Sequence, residues 1–226
     1  MSAKIAAEGG STSHLDQRRR SANEASNESY AAKQREIIDA AARLFSELGY
    51  DATSLGDIAA AVNMDRATLY YYFKSKTHLL GSAMIDALSG CVEQLNEIVV
   101  GGADALSKLR AAIRCIVITM AEKHPFAALY YQDDIWRSPR NSTWIAPLRE
   151  DDARITKVFK MIIDDGQRDG TIRSDVSGEL VTRVVFGSLA WTYRWFKPGG
   201  AHSVDEVVQS FDAILAAGVA APGSLA

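Results

Sequence analysis

The first sustained helical rhythm of apolar positions begins near Ala31. From there to Leu48 the residues Ile37, Ile38, Ala41, Leu44, Phe45 and Leu48 recur at spacings of three and four, which gathers them on one face of a helix. Gly49 follows where a left-handed cap would close it. Ser54 can cap a second helix, with Asp57 reaching back from its first turn, and Ile58, Ala59 and Val62 supply its inner face. Asn63 tolerates a left-handed backbone and Asp65 is a good N-cap, so Ala67 to Phe73 form a third, short, aromatic helix. Ser75 caps a fourth, running from Lys76 through Leu79, Leu80, Met84, Leu88 and Leu95 to the Gly101-Gly102 break. Further helical patterns cover roughly 103–122, 125–137, 143–168, 177–196 and 203–219, separated by proline and glycine. No segment alternates convincingly with period two, so the fold class is all-α: a three-helix N-terminal domain followed by a larger helical one.

The expected boundaries are a flexible tail over 1–29, a small domain over 30–75, a helical domain over 76–220 and a flexible C-terminus over 221–226. The tail assignment rests on composition, because its Ser, Asn, Glu and Arg leave almost nothing large and apolar to bury. Arg18-Arg19-Arg20 reads first as a solvated charge run, with contact to DNA phosphates or a minor groove as the alternative. The formal charge of −3 offers nucleic acid no overall attraction, and residues 1–80 are themselves neutral, so a DNA-binding reading must come from pattern.

Residues 54–73 carry that pattern. Two short helices joined by a tight turn form a helix-turn-helix, in which the first helix braces the second for the major groove. Ile58, Ala59, Val62, Leu69 and Phe73 make the small core, leaving Arg66, Thr68, Tyr71 and Tyr72 outward. Arg66 can fork onto guanine, Thr68 offers a hydroxyl and a methyl, and the tyrosines combine ring packing with a phosphate hydrogen bond. Four consecutive aromatics, Tyr70 to Phe73, cannot all face inward on a helix.

Leu44-Phe45, Gly49-Tyr50, Ala52-Thr53-Ser54, Asp57-Ile58-Ala59 and Thr68-Leu69-Tyr70-Tyr71-Tyr72-Phe73-Lys74-Ser75-Lys76 resemble the N-terminal signature of the TetR family of transcriptional regulators, over about residues 33–80. The resemblance implies DNA contacts by Thr68, Tyr71, Tyr72 and Lys76, with Tyr70 shared between packing and contact; Ser54, Arg66 and Ala67 complete the candidate DNA-binding set. Asn63 stands where the family usually has glycine, and Asp65 where it often has Ser or Thr. It also implies a C-terminal domain that binds an effector and pairs two chains into a homodimer on a palindromic operator. Val181, Val184, Val185 and Leu189 form one candidate stripe for that interface and Val207, Val208, Phe211, Ile214 and Leu215 another, although some of these must belong to the chain's own core.

The segments Tyr130–Asp134 and Tyr193–Gly200 resemble a subgroup of that family containing a steroid-catabolism repressor that senses a coenzyme A thioester. Candidate ligand-binding residues are therefore Phe126, Tyr130, Trp136, Trp144, Arg154, Phe159, Trp191 and Arg194, with the aromatics offering burial and the arginines an anion partner; each aromatic alone is more often core.

Other functions find less support. A helical enzyme, or an interaction module without DNA binding, is the alternative, but no P-loop, nucleophile elbow or paired-histidine metal motif occurs. No cofactor or metal is expected. Cys91 and Cys115, far apart in sequence, read as reduced thiols. The absence of a signal-like N-terminus or an apolar span leads to the expectation of a cytoplasmic protein without a membrane partner.

Overall fold

A computed structural model describes residues 10–130 and 142–222, with side chains over 26–130 and 145–222. It is all-α among these residues, apart from an isolated bridge between Ile172 and Ala220. The chain divides into two compact units, Met1–Tyr72 and Phe73–Ala226, so the division falls just before the expected boundary at residue 75.

In the first unit, α1 spans Gly10–Leu48, α2 Leu55–Ala61 and α3 Arg66–Tyr72. Residues 10–29, expected as tail, are therefore part of α1. They contain no proline and are interspersed with Leu, Gln, Arg, Ala and Glu, and extending a formed helix is far less costly than starting one. Lack of apolar residues removes packing, not helix propensity. Ile37, Ala40, Ala41 and Phe45 of α1 are buried, and α2 packs on both α1 and α3. Gly49 ends α1 at φ +89°, with its N–H donating to the Phe45 carbonyl at 3.1 Å. The Thr53 hydroxyl then donates to the Gly49 carbonyl at 2.8 Å, tying the turn to the next helix.

In the second unit, α4 spans Lys76–Val100, α5 Ala105–Glu122, α6 Phe126–Tyr130, α7 Ser142–Asp169 and α8 Gly178–Ala190, the last continued by a 3-10 turn, Trp191–Arg194. The final helix begins with α9, Val204–Phe211, passes through a π-helical segment, Asp212–Ala216, and closes with a last turn, Ala217–Val219. The core forms where α4 and α5 pack on α7, with α8 and the final helix against its flanks. Leu148, Ile155, Phe159 and Ile162 mark the inward stripe of α7. Asp151 lies within that stripe and is 5% exposed, accepting from the Ser89 hydroxyl at 3.0 Å and from Arg154 at 3.1 Å.

Residues 219–221 are stitched to the turn that follows α7. Arg173 donates its N–H to the Val219 carbonyl and Ala221 donates to the Thr171 carbonyl, each at 2.9 Å. Gly166 makes room for this corner, because a Cβ there would come within 2.6 Å of the Ile172 side chain.

Candidate DNA interface and ligand hollow

The turn preceding α3 is built by local polar contacts. Ser54 and Asp57 form a reciprocal capping box: the Asp57 N–H donates to the Ser54 hydroxyl at 3.1 Å and the Ser54 N–H to the Asp57 carboxylate at 2.8 Å. Asn63 adopts φ +51° between α2 and α3. Asp65 then caps α3 by accepting from the Thr68 N–H at 2.9 Å and from the Thr68 hydroxyl. These hydrogen bonds hold the Asp57 and Asp65 carboxyls below the usual carboxylate range, for each of them first through the hydroxyl partner. The charge of Asp65 is thus directed at the helix N-terminus.

Ile58, Ala59, Val62 and Leu69 are buried, as the helix-turn-helix pattern requires. Ser54, Arg66, Ala67 and Thr68 are exposed, Tyr70 is 41% and Tyr71 75% exposed, and Tyr72 is half-buried. Arg66 lies over the Tyr70 ring and donates to its hydroxyl at 3.2 Å, so reaching a base means leaving that contact. Tyr30, absent from the sequence-based candidates, stacks on Tyr72 at 4.8 Å and meets Tyr71 edge-on at 5.9 Å. It anchors the far end of α3 to α1; its isolation at the edge of a polar stretch was the available signal. Lys76 is the first residue of α4, after the Ser75 cap whose hydroxyl accepts from the His78 N–H at 3.0 Å. His78 is kept neutral by burial and the nearby Lys74 charge, which push its pKa down.

In the second unit a small apolar hollow of about 20 Å³ lies between α4, α5, α7 and α8. Met84, Leu88 and Cys91 of α4, Ile116 and Met120 of α5, and Phe186 of α8 are prominent in its wall. Phe186 also borders an open groove between α7 and α8 that carries Lys157, Lys160 and Arg183. Lys160 and Arg183 are paired there with Asp164 and Glu179.

The residues expected to bind a ligand are placed otherwise. Phe126 and Tyr130 are buried in the core on either side of Ala127, which does reach the hollow, and Phe159 stands behind Phe186 with ring centroids 5.9 Å apart. Arg154 is exposed and serves the buried Asp151, while Arg194 lies 4.6 Å over the ring of Trp191, itself 56% exposed. Neither arginine faces an interior. Trp136 and the side chain of Trp144 lie outside the described residues.

The expected dimer stripes are also divided. Val181, Val185, Leu189, Val207 and Leu215 are buried in their own chain's core, whereas Val184 is 59% and Ile214 69% exposed and Val208 and Phe211 are half-buried. Leu180, 56% exposed, joins Val184 and Trp191 along the outer face of α8. The π segment explains the split of the last helix. In a regular α-helix Ile214, seven residues after Val207, would return to the buried face after about two turns. The wider turn sets Ile214 back toward the surface and brings Leu215 and Ala216 inward.

Residues 102–219 match the family model for the tetracyclin repressor-like C-terminal domain, and residues 37–83 that for bacterial regulatory proteins of the tetR family. The chain belongs to the TetR family. As a member it is a DNA-binding transcriptional regulator rather than an enzyme. It is 29% identical over 192 residues to the HTH-type transcriptional repressor KstR2 of Rhodococcus jostii (strain RHA1), covering 85% of this chain and 93% of the relative. Among solved structures, the TetR-family regulator PfmR of Thermus thermophilus aligns with a TM-score of 0.70 at 30% identity, over 80% of this chain and 97% of that one. AibR, solved in complex with isovaleryl coenzyme A and operator DNA, aligns with a TM-score of 0.63 at 24% identity, over 80% and 97%. Among the described residues no helix is long and apolar enough to cross a membrane, and no group of three His, Cys, Asp or Glu is placed to hold a metal.

Proposed function

We propose that this regulator is a repressor that holds a palindromic operator as a homodimer and releases it when an amphipathic ligand, an acyl-coenzyme A thioester or a related acid derivative, enters the second unit. The single observation carrying the ligand class is Phe186, shared by an apolar hollow on one side and a groove with Lys157, Lys160 and Arg183 on the other. Such a site favours a ligand with an apolar body and an anionic end. AibR, complexed with an acyl thioester and DNA, shows the same fold accommodating both kinds of partner.

On the DNA side, Arg66 and Thr68 supply base contacts, Ser54, Ala67, Tyr70, Tyr71 and Tyr72 pack against or hydrogen-bond the backbone, and Lys76 meets a phosphate. One seven-residue helix reads few bases, so two copies related by a two-fold axis read half-sites about 34–36 Å apart. The exposed Leu180, Val184 and Ile214, with Phe211 and Val208, form the pairing face. Release follows from α4, which lines the hollow through Met84, Leu88 and Cys91 and directly succeeds the recognition helix in the chain. A ligand that prefers the non-binding pose by about 1.4 kcal/mol weakens DNA binding tenfold, and operator DNA weakens ligand binding by the same factor.

The test selects the operator from genomic fragments and measures its affinity by fluorescence anisotropy with acyl, aromatic and steroid-derived coenzyme A thioesters, their free acids, and neutral hydrophobes. Release by thioesters alone supports the reading. Release by a neutral hydrophobe but by no thioester removes the anionic end from the proposal.

A further inference from the structure

The two cysteines, 24 residues apart in sequence, meet in the core of the second unit. Cys91 on α4 and Cys115 on α5 bring their Sγ atoms to 3.6 Å, and both are free thiols. Disulfide formation would close that separation to roughly 2.05 Å. Their surroundings are polarised rather than inert. Cys115 donates to the Gln94 side-chain carbonyl at 3.4 Å, and the Cys91 thiol lowers the Cys115 pKa, helped by Thr119, while the same pairing and burial push Cys91 up. Cys91 and Thr119 line the small hollow, so an oxidant the size of hydrogen peroxide entering it meets the Cys91 side of the pair.

We propose that Cys91 and Cys115 are an oxidation site for a small hydroperoxide, forming an intramolecular disulfide that fastens α4 to α5. One thiol of the pair gives up its proton and attacks the peroxide oxygen, an S–O bond forms as the O–O bond breaks, and the leaving hydroxide takes that proton to become water. The other thiol then attacks the resulting sulfenic sulfur, forming the S–S bond as the S–O bond breaks, and its proton leaves with the hydroxyl as a second water. Two thiols and one hydrogen peroxide become one disulfide and two waters. Because Cys91 belongs to the wall of the hollow, the bond alters the site at which the proposed ligand would bind, but its formation does not depend on that ligand.

The full-length reduced protein is exposed to hydrogen peroxide, quenched by alkylation, and analysed by intact mass and non-reducing peptide mapping. The expected product is monomeric, about 2 Da lighter, resistant to alkylation at both cysteines, restored by dithiothreitol, and joined through the peptides containing residues 91 and 115. Cys91→Ser and Cys115→Ser each abolish the mass loss; circular dichroism confirms that each is folded, and the wild-type peptide map stands by itself if one is not. Both thiols remaining alkylatable after peroxide, oxygen addition without cross-linking, or a disulfide only between chains overturns the proposal. None of these readouts uses DNA or an acyl thioester, so the result is separable from the repressor reading.

Discussion

Replacing Val184 by aspartate puts a carboxylate at the centre of the proposed pairing face without disturbing the monomer's core. Val184 is 59% exposed in the single chain, so more than half of its burial is still to be gained on association. Full burial of a valine is worth about 1.5–3 kcal/mol, which leaves roughly 1–2 kcal/mol per copy and, by two-fold symmetry, roughly 2–4 kcal/mol per dimer. At about 1.4 kcal/mol per tenfold, loss of that burial alone weakens association by about 30- to 700-fold, and desolvating two carboxylates adds several kcal/mol. The variant is expected to be monomeric at micromolar concentration in sedimentation-velocity runs and to bind the operator poorly, with an unchanged circular-dichroism spectrum. Val100→Asp, at a position 84% exposed at the end of α4, controls for adding an acid to an exposed apolar position and is expected to dimerise normally. A dimer of Val184→Asp with the wild-type dissociation constant would refute the placement of the interface on α8.

Lys76→Ala is expected to weaken binding to all DNA sequences alike and lower the salt slope by about one, measured by anisotropy titrations across salt concentrations; a sequence-selective loss contradicts a phosphate contact. Asn63→Ala is expected to destabilise the protein by about 1–2 kcal/mol because alanine at φ +51° is strained, while Asn63→Gly keeps the fold, both read in urea titrations. Gly166→Ala is expected to cost about 1–3 kcal/mol, since its Cβ meets Ile172, and Ile172→Val introduced with it recovers part of the loss. The capping carboxylates Asp57, Asp65, Asp104 and Glu206 all have depressed pKa values through hydrogen bonds accepted at their helix N-termini, Asp57 and Glu206 from the cap serines Ser54 and Ser203, and Asp65 and Asp104 from Thr68 and Ser107. Their folded values lie below the unfolded ones, so their stabilisation is present above the ordinary carboxylate range and fades as pH falls through it; the melting temperature should drop from about pH 5 to about pH 3, and a flat profile contradicts the linkage.

What the sequence disclosed was local. Ser54 with Asp57, Asn63, Asp65 and Gly49 each determine backbone geometry within four residues, and each stands where its chemistry places it. The aromatic run of α3 could not all be inward, and Tyr71 is indeed outward. The proposed ligand hollow was less legible because its wall is made of Met84, Leu88, Ile116 and Met120, which look like any core residues, while the conspicuous aromatics Phe126, Tyr130 and Phe159 are buried in the core. Arg154 was read as an anion partner because the buried Asp151 that it serves is recognisable only once α4 and α7 meet. Likewise, Cys91 and Cys115 are neighbours only through the pairing of α4 with α5.

The π segment at Asp212–Ala216 works as a phase shift: upstream of it one set of residues faces the core, and downstream the count is offset. An uninterrupted helix would tend to turn Ile214 inward and Leu215 aside, exchanging a surface contact for a crowded interior. Insertions and deletions in this stretch therefore act differently from substitutions. Removing a single residue such as Ala213 would make Leu215 the seventh residue after Val207, so a regular α-helix would keep it inward and the later side chains in phase without the wider turn, whereas inserting a residue would put them out of phase. Which residues of this helix are available to the proposed pairing face is thus set by the length of one turn, with no change in their chemistry.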